Sequence, residues 1–171
     1  NNPFSALPIQ LILFQDIVLN LDLHNITRPS QKVCSQGLHA IFQWISVLNM
    51  TEASTSSSLD LTAYGLTQLP PELLADDSLK VTTIILKSNS IQMLPMEAAF
   101  TLRNIRILDY SMNGLYGVPE VLFRLTNLEQ LDLSSNNITI IPDDISLLMN
   151  LKWVNFVGNS ISSIPALIGS L

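Results

Sequence analysis

From residue 59 to the C-terminus the chain repeats one pattern of apolar positions. Val81-Ile84-Leu86-Asn89-Ile91-Leu94 is followed by Ile105-Leu108-Tyr110-Asn113-Leu115-Val118, then Leu128-Leu131-Leu133-Asn136-Ile138-Ile141, then Leu151-Val154-Phe156-Asn159-Ile161-Ile164. A degenerate first copy, Leu59-Leu61-Tyr64-Leu66-Leu69, has Tyr64 in the asparagine slot. Apolar residues two apart predict a short strand with one face inward. The asparagine that follows predicts a bend whose backbone groups are satisfied by a buried amide. A proline closes each copy, Pro70, Pro95, Pro119, Pro142 and Pro165, at spacings of 25, 24, 23 and 23 residues. A looser apolar set follows each one: Leu73 and Leu74, Phe100 and Leu102, Leu122 and Leu125, Ile145 and Leu148, Leu167 and Leu171. Those residues are expected to close the opposite side as short helical turns.

The unit fits L-x-x-L-x-L-x-x-N-x-L-x-x-L and resembles the leucine-rich repeat, which implies an α/β solenoid of about five repeats at residues 51–171. Such an array offers its outward strand residues to a partner. Here these are Ser58, Asp60 and Thr62; Thr83, Ile85 and Lys87; Ile107, Asp109 and Ser111; Gln130, Asp132 and Ser134; and Trp153, Asn155 and Val157. Ile85, Ile107 and Trp153 stand out, because apolar groups on a solvated face have no stability reason to be there and interface energy concentrates in such anchors. Lys87, Asp109, Asp132 and Asn155 complete the candidate partner-binding face. The chain stops at Leu171 without a polar capping unit, so a longer protein, a further helix or a covering partner is expected.

Residues 1–50 do not repeat. Apolar residues from Leu7 to Leu23, a break at His24 to Ser30, and helical spacing over Val33, Leu38, Ile41, Phe42 and Ile45 predict three short helices. Leu7-Pro8-x-x-Leu11, Leu21-Asp22-Leu23-His24-Asn25, Ser30-Gln31-Lys32-Val33-Cys34 and Leu38-His39-Ala40-Ile41 together resemble an F-box over Phe4 to about Ser46. The sequence departs from that pattern at Gln10, where the family has an acid, in a longer distance from Leu7 to Cys34, and at Ser35-Gln36-Gly37. The resemblance implies a three-helix head that docks on a Skp-type adaptor of cullin-RING ubiquitin ligases through Leu7, Pro8, Leu11, Ile12, Val33 and Cys34. The array would then hold a target protein, in the cytoplasm, or in a host's cytoplasm if the chain is one of the bacterial effectors that share this layout. Two other readings stay open: a scaffolding module whose head is only an N-terminal cap, and the recognition half of a longer ligase enzyme.

Composition narrows the classes. Apolar residues make up 47% of the chain, yet Gln10, Gln15, Asp16, Asn20 and Asp22 interrupt the longest apolar stretch, so no membrane span is expected. Net charge is −6 with only eight Lys and Arg, which argues against nucleic acid. All of the excess acid lies beyond residue 50. Glu72, Glu97, Glu120 and Asp143 follow the repeat prolines, where acid complements the start of a helical turn. Cys34 is the only cysteine; a disulfide within the chain is excluded and a reducing compartment favoured. His24, His39 and Cys34 make no triad, and Asp60, Asp109 and Asp132 are ordinary strand choices. No catalytic activity, cofactor or metal is therefore expected.

Overall fold

The chain divides into two units, Asn1–Ser54 and Thr55–Leu171. The computed structural model describes residues 57–70, 73–74, 81–166 and 169, all in the second unit. The predicted three-helix head, with Leu7, Pro8, Leu11, Ile12, Val33 and Cys34, lies outside the described residues, as do Glu72, Leu167 and Leu171.

Five three-residue strands, β1 Ser58–Asp60, β2 Thr83–Ile85, β3 Ile107–Asp109, β4 Gln130–Asp132 and β5 Trp153–Asn155, form one parallel sheet in sequence order. Their register aligns equivalent residues of successive repeats, so Leu59, Ile84, Leu108, Leu131 and Val154 make a single inward row. Alternation then puts the residues on either side outward. The second inward position, Leu61, Leu86, Tyr110 and Leu133, is fully buried. Burial falls off in the fifth repeat, where Val154, Phe156 and Ile161 are half-buried and Ile164 is exposed. The inward side chains of β2, β3 and β4 lie between strands on both sides, whereas β5 has only β4 beside it among the described residues.

Beyond each strand the chain bends inward around the repeat asparagine. The Asn136 amide donates to the carbonyls of Tyr110, Leu133 and Ser134, at 3.1, 3.0 and 3.2 Å. Its Oδ1 accepts from the backbone amides of Asn113 and Leu115. Asn89, Asn113 and Asn159 repeat the arrangement, each donating back to the preceding repeat at Leu61, Leu86 and Leu133. The bend also needs a left-handed residue immediately before the asparagine slot, and Ala63, Ser88, Met112, Ser135 and Gly158 all have φ between 53° and 75°. Tyr64 takes the slot without changing this backbone.

The opposite side is closed by turns that begin at the prolines. The Pro95, Pro119 and Pro142 carbonyls accept from the amides of Ala98, Leu122 and Ile145, three residues on. Glu120–Arg124 and Asp143–Leu147 are 3-10 helices with Glu120, Asp143 and Asp144 in the first turn, whereas Ala98–Thr101 is an α-helical turn that lacks acid there, with Glu97 at its N-cap. This difference accounts for the extra residue of the 24-residue copy. Leu102 N–H reaches back four residues to Ala98, while Leu125 and Leu148 reach back three to Leu122 and Ile145. The α-turn also corrects one core assignment. Ala98, not Phe100, occupies the buried place of Leu122 and Ile145, and Phe100 is 69% exposed. Val121 and Phe123, absent from the sequence-based core, are buried.

Candidate functional site

The outward rows of the sheet are fixed by the strand register. One row is Ser58, Thr83, Ile107, Gln130 and Trp153; the other is Asp60, Ile85, Asp109, Asp132 and Asn155. Ile85 and Ile107 lie diagonally on adjacent strands and are both half-buried. Trp153 is 48% exposed and stands one strand beyond Gln130. The three apolar candidates thus form two groups, an isoleucine pair and a separate indole, with Gln130 and Asp132 between them. The series continues past the strands to Lys87, which is exposed, and to Ser111, which is only 3% exposed and so is part of the interior rather than the outward face.

The carboxylates of the second row each hold the strand end above them. Asp60 Oδ1 accepts from the amide and hydroxyl of Thr62 at 2.9 and 2.6 Å. Asp109 Oδ1 does the same for Ser111 at 2.9 and 2.6 Å. Asp132 accepts from Ser134 N–H through Oδ1 and from the Asn155 side-chain amide through Oδ2. Asn155 Oδ1 in turn accepts from Val157 N–H at 3.0 Å. Asp and Asn side chains favour this bond to the amide two residues on, and only Ile85 breaks the series. Among the described residues no group of three or more metal-ligating side chains comes together, and neither histidine nor the cysteine is among them.

A second polar feature borders the N-terminal ends of the strands. Glu129 bridges Arg106 at 3.2 Å and Lys152 at 2.6 Å, joining three successive repeats. The hydrogen bond from Lys152, aided by the charges of Lys152 and Arg106, outweighs desolvation and lowers the Glu129 pKa below the usual carboxylate range. Below it, Asn127 and Asn150 donate to the carbonyls of Arg103 and Thr126 in the preceding repeats, each at 2.8 Å. Thr82, Asn104, Arg106, Asn127, Glu129 and Asn150 line one open polar cleft. The sequence reading missed this second asparagine series, although Asn104, Asn127 and Asn150 recur every 23 residues.

This arrangement of in-register strands, asparagine bends and proline-led turns has the architecture of a leucine-rich repeat solenoid. The leucine-rich repeat family model matches residues 103–161. A leucine-rich repeat protein of Leptospira interrogans is similar over 73% of this chain and 37% of its own, with 24% identity and a TM-score of 0.59. The repeat ectodomain of the Arabidopsis receptor kinase HAESA, solved in complex with an N-terminally extended IDA peptide hormone, is 33% identical over 66% of this chain and 20% of its own, with a TM-score of 0.55. Internalin C2 of Listeria monocytogenes shares the fold at 19% identity over 74% of this chain and 69% of its own, with a TM-score of 0.54. The chain thus spans well under half of the Leptospira and HAESA proteins. No curated protein matches it. No helix among the described residues is long and apolar enough to cross a membrane.

Proposed function

We propose that this chain is a protein-binding module that captures a segment of another protein on the outward face of its sheet. The observation that carries this reading is the single face made by five in-register strands, on which Ile85, Ile107 and Trp153 present apolar surface beside Lys87, Asp109, Asp132 and Asn155. Apolar groups that reach the surface of a rigid scaffold act as interface anchors. The HAESA ectodomain, a repeat array of similar build, holds a peptide. A photo-crosslinking side chain at Gln130, in the middle of the face, tests the reading. Crosslinks to a partner are expected from Gln130 and should be lost with Ile107→Ser/Trp153→Ala. Equal crosslinking from position 100, on the opposite side, would overturn it.

The head sequence favours a more specific role, that of substrate-recognition subunit of a cullin-RING ligase. Leu7, Pro8, Leu11, Ile12, Val33 and Cys34 would contact a Skp-type adaptor while the array holds the target. That role places the chain in a cytoplasm, the compartment a lone cysteine favours. Calorimetric titration against a purified Skp adaptor should show binding that Leu7→Ala/Pro8→Ala removes; no heat with the unaltered chain eliminates the adaptor role and leaves the capture reading standing.

A further inference from the structure

We infer that the captured segment is cationic and extended: it lies across the strands, with apolar side chains on Ile107 and Trp153 and a Lys or Arg over Asp109 and Asp132. The inference rests on the capture reading and adds the chemistry of the partner. Its first support is the spacing of the apolar positions. Ile107 and Trp153 share one row two strands apart, about 10 Å at the usual strand separation. A polyproline-like segment advances about 3.1 Å per residue and brings every third side chain to the same face, so apolar side chains three residues apart span that distance.

The second support is charge. Asp109 and Asp132 face each other in register on adjacent strands, where like charges directly opposite are unfavourable. Among the described residues Asp109 is held through one oxygen only, and the partners of Asp132 are neutral. Lys87 is the one base among the outward strand positions, against Asp60, Asp109 and Asp132. Arg106 and Lys152 do not relieve the pair, because Glu129 holds both at the strand N-terminal ends, and Arg106 is three residues, roughly 10 Å, along the strand from Asp109. A cation between the two apolar anchors would meet both carboxylates. An acidic segment would meet uncompensated repulsion, which is how charge selects between partners.

The test uses the full 171-residue chain and three synthetic peptides carrying two leucines three residues apart, with Arg, Gln or Glu between them, in fluorescence anisotropy at low and high salt. The Arg peptide should bind tightest and lose its advantage as salt screens it. Asp109→Asn/Asp132→Asn keeps the oxygens that accept from Ser111 and Ser134. It should weaken the Arg peptide about five- to tenfold, as expected for losing two close charge partners, and leave the Gln peptide unchanged, with circular dichroism confirming the fold. Trp153→Ala should weaken all three. Equal binding of the three peptides, still sensitive to Trp153→Ala, would overturn the charge inference and leave capture intact. No binding by any of them would overturn both.

Discussion

At the scale of single residues, the bends carry most of the specificity. Asn136 serves two carbonyls and two amides that have no water to turn to, so Asn136→Ala should cost about 3 kcal/mol in chemical denaturation, more than an ordinary hydrogen-bond deletion. Ser135 beside it is exposed, yet its φ of 53° makes it a structural position. Ser135→Val should cost about 1–2 kcal/mol, while Thr139→Val, nearby and also exposed, should stay within about 0.5 kcal/mol. Gly158 is the one member of the left-handed series that sequence could have flagged, and a Cβ there would sit 3.3 Å from the Ser135 backbone. Ala63, Ser88, Met112 and Ser135 gave no such hint, because the bend forces the backbone and the residue type does not advertise it. Tyr110 is a different case. Its hydroxyl is buried without a partner among the described residues, and burial pushes its pKa well above the ordinary phenol range. Tyr110→Phe should therefore be neutral or stabilising by up to about 1 kcal/mol in a thermal melt.

At the scale of elements, the strands and asparagine bends were legible because period-two apolar residues and a buried amide leave a plain trace. The turns were less so. An extra residue between Pro95 and Ile105 converts a 3-10 turn to an α-turn, rotates Phe100 outward and hands its place to Ala98; apolar spacing alone does not distinguish a three-residue from a four-residue reach. The Arg106, Glu129 and Lys152 row joins elements electrostatically, and its pH dependence has a definite sign. Because the folded-state pKa of Glu129 is lowered, its contribution is present above the ordinary carboxylate pKa and is lost as pH falls through the lowered one. Melting curves from neutral to acid pH should show Glu129→Gln losing its difference from the unaltered chain in the acid range, and added salt should shrink that difference at neutral pH.

At the scale of the whole molecule, the array was readable from its period, but the outward face was readable only in part. The sequence identifies Ile85, Ile107 and Trp153 as unusual; the register shows that an amide and a carboxylate separate the indole from the isoleucine pair. The same nearest-neighbour logic governs stability. Leu131, covered on both sides, should cost about 2–5 kcal/mol on replacement by alanine, and Val154→Ala, half-covered, distinctly less, as read from the shift of the denaturant midpoint. The asparagines give this stack a direction. Leu66, Ile91, Leu115 and Ile138 each offer a backbone amide that is met by the Oδ1 of an asparagine 21 to 23 residues later. On the ribosome, then, each bend emerges incomplete and is finished only when the next repeat follows it out, so a pause in translation between repeats leaves a polar group bare at the growing end.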